Sequence, residues 1–317
     1  MLTAPFRHEA FLYAGHDDFV AGALAFLAAP LAVSRPALVM TDGPKLALLR
    51  AALGERAAAV DFADMAIVGR NPARIIPAWA AFAEANHGAG PLWGIGEPVW
   101  PGRSPAELDE CRHHEVLLNL AFSDSAFHLL CPYDVAALEP SVVDDVWASH
   151  PRVSPPSPRS DNGASGDAAH DVVDSASLLA EALPEPPADA TVIGSDLDDL
   201  HGLRCHVQRV AAASGLAAGE TDDLVLAVDE VATNSLCYGG GAREVLSWVD
   251  AGAVVCEVRD GGRVTDPLVG RRRPPPDQLG GRGLWIANQL CDLVQVRSSD
   301  AGTVVRLHKR PALVASV

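Results

Sequence analysis

The chain has 317 residues, 49% of them hydrophobic, with a formal net charge of −17 and a pI near 4.9. That length exceeds one typical domain and suits two, while the acidic balance argues against a nucleic-acid backbone as direct partner, because phosphate binding draws on clustered Lys and Arg. Six cysteines stand singly at 111, 131, 205, 237, 256 and 291 without C-x-x-C spacing, the start of the chain lacks the order of a signal peptide, and no apolar run reaches the roughly 18 residues that span a bilayer; a soluble, reduced, cytoplasmic protein with no membrane association is expected.

Along the first 150 residues, short apolar runs such as 37–40 and 127–131 alternate with stretches of helical period such as 19–26 and 45–53. Such alternation predicts an α/β domain with a parallel sheet flanked by helices. Unusual residues concentrate at 69–79, 94–100 and 131–134, and no G-x-x-x-x-G-K-[ST] loop occurs in this half. Cys111, His113, His114, Glu115 and Cys131 offer nitrogen, sulfur and oxygen donors, though in no familiar ligand spacing, and the adjacent His113 and His114 point about 100° apart on a helix. A helix packed by Val116, Leu117, Leu118 and Leu120 accounts for the same stretch without a metal. Arg70, Arg74, Glu97, Arg103, Glu110 and Glu115 fit either a buried charge network or a small-ligand pocket.

From 151 to 189 the composition shifts to Pro, Ser, Asp, Gly and Ala, which bury too little apolar surface to offset chain entropy, so a linker is expected, with a short helix at 176–183. A second domain, 190–310, follows, then a tail, 311–317. Its predicted order is a helix over 200–214, a helix over 222–237 with Thr221 as N-cap, strands at 245–249 and 254–258, a Pro- and Arg-rich loop at 271–276 that suits a lid, a helix over 284–290, and strands at 293–297 and 303–308. Helices on one face of a largely antiparallel sheet result.

Glu230 and Asn234 lie four apart and share one helix face, a carboxylate beside an amide oxygen that suits a hard cation, although the spacing is common on amphipathic helices. Asp260-Gly261-Gly262 ends a strand, where a carboxylate can accept from an adenine amine while glycine lets the backbone approach the ring. Gly280-Gly281-Arg282-Gly283 then opens a helix at Leu284 and supplies backbone N–H groups for phosphates. Gly302-Thr303 precedes the last strand.

These four motifs, in this order over about 191–309, resemble the ATPase domain shared by histidine kinases, gyrase, heat-shock chaperones and mismatch-repair proteins, and within it the anti-sigma-factor serine kinases. The resemblance implies a two-layer α/β sandwich of the Bergerat type that binds ATP and Mg²⁺, with Glu230 as general base, Asn234 as Mg²⁺ ligand, Asp260 as adenine contact, and Gly262, Gly281, Arg282, Gly283, Leu284 and Thr303 shaping the nucleotide pocket. It further implies a regulator of transcription that holds a sigma factor, phosphorylates Ser or Thr of an anti-sigma-factor antagonist protein, and pairs as a homodimer. Tyr238 stands where those kinases often carry His, and Val264 where a second glycine is expected. Two other readings stay open: a non-catalytic, ATP-dependent partner-binding module, and an atypical sensor histidine kinase using His201 or His206. Residues 6–151 resemble the sensory domain called MEDS, related to RecA-like α/β folds, with His8 and Tyr13 at its opening and Arg70, Arg74, Glu97, Cys111, His114, Glu115 and Cys131 as sensory-pocket candidates.

Overall fold

The structure, a computed structural model, describes residues 6–154, 175–194, 200–239, 242–275 and 281–312. Most of the expected linker, Gly280 and much of the expected tail lie outside the described residues. The chain divides into two compact units, Met1–Ser175 and Ala176–Val317. No helix among the described residues is long and apolar enough to cross a membrane.

In the first unit the chain runs β1 (Arg7–Tyr13), α1 (Gly15–Ala32), β2 (Ala37–Thr41), α2 (Gly43–Leu53), β3 (Asp61–Asp64), α3 (Met65–Val68), α4 (Ile75–Ala85), β4 (Leu92–Gly96), α5 (Pro105–Ala121), β5 (Phe127–Asp134), α6 (Pro140–Asp144), α7 (Val146–Ser149) and β6 (Arg152–Ser154). The strands form one parallel sheet in the order β3-β2-β4-β5-β1-β6. Every residue of β2 is buried, as expected of a parallel strand covered on both faces. Phe19, Ala23 and Leu27 of α1 and Leu46, Leu49 and Leu53 of α2 pack with Tyr13, Val39 and Ile95 on one face. On the other, the ring of Trp79 from α4 lies against Gly94 and Gly96, where an added Cβ would stand 2.7 and 2.8 Å from it. α5 starts at a capping box: Ser104 Oγ accepts from Glu107 N, and the Glu107 carboxylate accepts from Ser104 N at 2.7 Å.

Ligands of open parallel sheets bind outside the carboxyl ends of the strands. Here the protein fills that place with its own charges. Glu97, just past β4, accepts from the Tyr13 hydroxyl at 2.5 Å, from the Thr41 hydroxyl and from Lys45 Nζ at 2.8 Å, and Lys45 also pairs with Asp42 at 3.0 Å. Burial works against the Lys45 ammonium, but Glu97 and then Asp42 outweigh it and hold its pKa above the ordinary value.

The second unit runs α8 (Ser175–Leu178), β7 (Thr191–Gly194), α9 (Leu200–Ala213), α10 (Ala218–Tyr238), β8 (Ala242–Asp250), β9 (Ala253–Asp260), α11 (Gly283–Leu290), β10 (Leu293–Ser299) and β11 (Gly302–Lys309). Its sheet is antiparallel throughout, in the order β10-β11-β9-β8-β7, and α10 packs against α9 and α11. Leu203, Val207 and Ala211 of α9 and Leu224, Val228 and Val231 of α10 meet alternate residues of β9 and β11, Val254, Cys256, Val258, Val305 and Leu307, in one core. Between those positions Glu257 points the opposite way, fully buried, and receives Arg306 Nε and Arg259 Nε, each at 2.6 Å.

Three local expectations are revised. α10 begins at Ala218, four residues before the sequence reading, because Glu220 closes on the Ala217 N–H at 2.8 Å; Thr221 is buried inside the helix and is not its cap. The stretch 151–189 carries structure at both described ends: β6 joins the first sheet, while Leu179 O accepts from Ser298 N and Pro184 O accepts from Arg306 at 2.7 Å. Backbone carbonyls make those attachments together with a few buried side chains, Val153, Leu178 and Leu179, too few for composition to reveal. The helix expected at 176–183 is limited to Ser175–Leu178.

Glu97→Ala would leave the Lys45 ammonium and Tyr13 hydroxyl buried without their main acceptor, and a loss of about 3 kcal/mol is expected from breaking such a pair. Lys45→Met combined with Glu97→Leu should recover most of it. Urea unfolding of the three proteins checks both statements; equal losses in the single and double variants would contradict them.

Candidate functional site

In the second unit, Val231, Asn234, Ser235 and Tyr238 follow one another at helical spacing along α10 and form one wall of an open cleft of about 690 Å³, mouth included. Asp260, the last residue of β9, stands at the polar end. Its Oδ2 accepts from Ser235 Oγ at 2.6 Å and its Oδ1 from Gly262 N at 2.8 Å. Each carboxylate oxygen carries two lone-pair sites, so the group keeps capacity for a further donor from a ligand. Val231, Val264, Val269, Leu284 and Val305 supply apolar walls. An apolar slot with a carboxylate at one end fits a purine bearing an amine.

Close backbone approach sets this geometry. A Cβ on Gly239 would stand 2.5 Å from the Asp260 carboxyl carbon, and one on Gly262 would stand 2.8 Å from Gly239 Cα. The loop after β9 is braced from the neighbouring strands: Thr303 Oγ1 donates to Gly262 O at 2.9 Å, and Ser298 Oγ accepts from Val264 N at 2.9 Å. Gly281 has φ +73°, and the first residue of α11, Gly283, abuts the Asn234 amide so closely that any side chain would collide with it.

Among the residues chosen from sequence, Asn234, Asp260, Gly262, Gly281, Leu284 and Thr303 line the cleft, and Gly283 backs Asn234. Glu230 sits one turn before Asn234, half-buried and outside the lining. Arg282 is exposed and donates to Pro275 O at 3.3 Å, so it leans on the Pro-rich loop. Ser235 and Gly239 were missed, although Ser235 directly follows Asn234 and lies four residues from Val231. Tyr238 is 72% exposed, and the Val264 side chain faces the cleft. His206, on α9, is half-buried and bonds Ser247 Oγ at 3.0 Å, while His201 is exposed.

In the first unit the structure brings together His8 of β1, Glu115 of α5, Cys131 of β5 and His150, all buried, with their donor atoms within 4.8 Å of one another. Burial, and next the neighbouring His150, hold the His8 pKa below its ordinary value. Burial and the Glu115 charge push Cys131 well up. The other sensory candidates stand outside this group. Tyr13 and Glu97 belong to the ion-pair network at the strand ends. Cys111 donates to Pro98 O at 3.4 Å, its thiol pushed up to about 12 by burial, and His114 is buried elsewhere on α5. Arg70 is exposed and Arg74 half-buried. His150 had no signal in the sequence, because it stands alone at the edge of the Pro-rich stretch.

Residues 7–151 match the MEDS family, described as the MEthanogen/methylotroph, DcmR Sensory domain, and residues 193–309 match the histidine kinase-like ATPase domain family. The chain thus carries an N-terminal MEDS domain and a C-terminal ATP-binding domain of the Bergerat type. No curated protein matches it. Among solved structures it is similar to the RsbU and RsbW domains of Rv1364c from Mycobacterium tuberculosis, at 20% identity over 39% of this chain and 33% of that one, with a TM-score of 0.30; the match spans about a third of that protein's length.

Cys205 and Cys237 are exposed and the other four cysteines buried. A thiol reagent at neutral pH should therefore label these two rapidly and the rest only after unfolding. Gly239→Val should displace the Asp260 carboxylate and lower nucleotide affinity at least tenfold, with the circular dichroism spectrum unchanged. Calorimetry with ATP measures the first effect, and wild-type affinity in the variant would refute the close-approach argument.

Proposed function

We propose that this chain, a MEDS domain followed by a histidine kinase-like ATPase domain, is a cytoplasmic, Mg-ATP-dependent regulator of transcription that acts as an anti-sigma factor and phosphorylates Ser or Thr of an antagonist protein. The observation that carries the nucleotide part is Asp260, fixed by Ser235 and the Gly262 amide at the polar end of an apolar slot whose other side is formed by Asn234 and the glycine turn before α11. The order of the four motifs, and their resemblance to anti-sigma-factor serine kinases, supports the regulatory part.

Bound Mg-ATP supplies the phosphoryl group and the counter-charge for it. The remaining work falls to the chain. Asp260 accepts from the adenine amine and fixes the register of the base. Asn234 offers an amide oxygen to a hard cation. The N–H groups at Gly281, Arg282, Gly283 and Leu284 meet phosphate oxygens at a helix N-terminus. Glu230, one turn before Asn234, takes the proton of the acceptor hydroxyl. Phosphorylating the antagonist adds nearly two negative charges to its docking surface and drives it off by repulsion and desolvation.

A second reading, binding without catalysis, is favoured by the exposed Tyr238 at the rim and by the Val264 side chain where a glycine was expected. The histidine-kinase reading has less support, since His206 is tied to Ser247 within the ATPase fold.

Titration calorimetry with Mg-ATP should give saturable binding to wild type that weakens at least tenfold in Asn234→Ala and in Asp260→Asn. Radiolabelled ATP should then place acid-stable label on a protein co-purified with the chain, and Glu230→Ala should abolish that label while retaining binding. Binding without label selects the non-catalytic reading, acid-labile label on His201 or His206 selects the histidine kinase, and no binding by folded wild type overturns the nucleotide site.

A further inference from the structure

The proton arrangement around His8, Glu115, Cys131 and His150 is set by their outer neighbours. Asn119, two turns along from Cys111 on α5, donates its amide to two backbone carbonyls, Glu115 O at 3.4 Å and Ser149 O at 3.1 Å. Its Oδ1 is therefore the atom that faces His8 Nδ1, at 3.1 Å, and a carbonyl oxygen there requires an N–H on Nδ1. The neutral His8 ring then carries a lone pair on Nε2. That lone pair points at Glu115 Oε2, 3.0 Å away, and at Cys131 Sγ, 3.3 Å away.

His150 repeats the pattern. Its Nδ1 lies 3.0 Å from Val146 O, which can only accept, and 3.0 Å from Ser149 Oγ, whose own proton goes to the Asp145 or Val146 carbonyl, so Nδ1 carries the proton. Its Nε2 is left as a lone pair 3.3 Å from the same Glu115 Oε2, with no hydrogen-bond partner. Glu115 Oε1 has none either. The four residues are between 0 and 2% exposed. Two imidazole lone pairs and a carboxylate converge, and the two protons beside them, on the Cys131 thiol and the Tyr133 hydroxyl, both bonded to Glu115, are fewer than these acceptors need. Buried acceptors aimed at one another are strongly unfavourable unless positive charge lies between them.

We propose that this cluster is a metal site, with His8 Nε2, His150 Nε2, Glu115 and the Cys131 thiolate binding one Zn²⁺. An ion bonded at about 2.0–2.3 Å to four donors in a tetrahedron sets them about 3.3–3.8 Å apart; three of the separations here are 3.0, 3.3 and 3.3 Å, and all the donor atoms lie within 4.8 Å of one another. Two imidazoles with a thiolate suit a borderline-soft ion and disfavour Mg²⁺ or Ca²⁺. Both histidines donate their outer N–H to a fixed oxygen, the outer contact that orients ligating imidazoles and keeps them basic. Binding releases the Cys131 proton to solvent and involves no redox change. His150 stands two residues before the start of β6, so the ion ties this end of the sheet to β1, β5 and α5. The site is independent of the nucleotide reading of the second unit.

The test uses the full chain carrying Cys205→Ser and Cys237→Ser, which removes the exposed thiols. Protein purified without chelator should contain one zinc per chain by elemental analysis. After chelation, Co²⁺ should restore a thiolate-to-cobalt charge-transfer band that Cys131→Ser abolishes and Cys111→Ser retains. Asn119→Ala, which touches no ligand atom of the ion, should weaken Zn²⁺ binding about 10- to 100-fold. The rival arrangement, a proton shared between His8 and Glu115, predicts a folded protein without zinc that takes up neither Zn²⁺ nor Co²⁺ saturably. That result, or a cobalt band that survives Cys131→Ser, overturns the proposal.

Discussion

A carboxylate removed from water must find its donors inside the protein, and both units of this chain are organised by that demand. Glu97 is met by a hydroxyl from β1, a hydroxyl from β2 and the Lys45 ammonium from α2, so one side chain holds three elements in register at the carboxyl edge of the parallel sheet. Glu257 does the same for the antiparallel sheet, where Arg259 and Arg306 converge on it and Arg306 also reaches the Pro184 carbonyl. Asp260 differs in one respect. Its two donors, Ser235 and the Gly262 amide, leave lone-pair capacity directed into an open cleft. A carboxylate saturated by the protein is a structural joint; one left partly unsaturated beside a cavity keeps capacity for a donor from outside the chain.

The same contrast separates what the sequence could and could not tell. Periodicity exposed the core: the four-residue spacing of Leu203, Val207 and Ala211 and the alternation through β9 are local properties of the chain. The cleft of the second unit was legible to the extent that its residues come in short motifs, so Asn234, Asp260, Gly262 and Thr303 could be picked out and the structure gathers them around one cavity. Ser235 and Gly239 escaped because their importance lies in what they meet, the Asp260 carboxylate arriving from β9, and that meeting is tertiary. Thr221 misled for a related reason. A hydroxyl before an acidic run reads as a cap, but Glu220 closes on the backbone of Ala217 and starts α10 a turn earlier.

In the first unit the sequence placed too much in one pocket. Tyr13 and Glu97 sit at the carboxyl edge of the sheet, whereas His8 and Cys131 lie on its opposite face under α5. Residue parity along β1 separates them: His8 and Tyr13 are five apart, and an odd separation in a strand sends side chains to opposite faces. Parity was readable in advance. The convergence of Glu115 with His150 was not, since the two are 35 positions apart and no motif joins them.

Close approach of backbone explains why the cleft tolerates some departures from its family pattern better than others. Gly239, Gly262 and Gly283 are each pinned against an atom of Asp260, of another glycine or of Asn234, so a side chain there would move a group that lines the cleft. Val264 is not so constrained. Its backbone N–H already bonds Ser298, and its side chain adds apolar wall without displacing Asp260. Tyr238, exposed at the rim, likewise leaves both donors to Asp260 in place. Both departures lie in the lining of the cleft and neither replaces a donor to the Asp260 carboxylate, so they alter the wall of the cleft rather than the group fixed at its polar end.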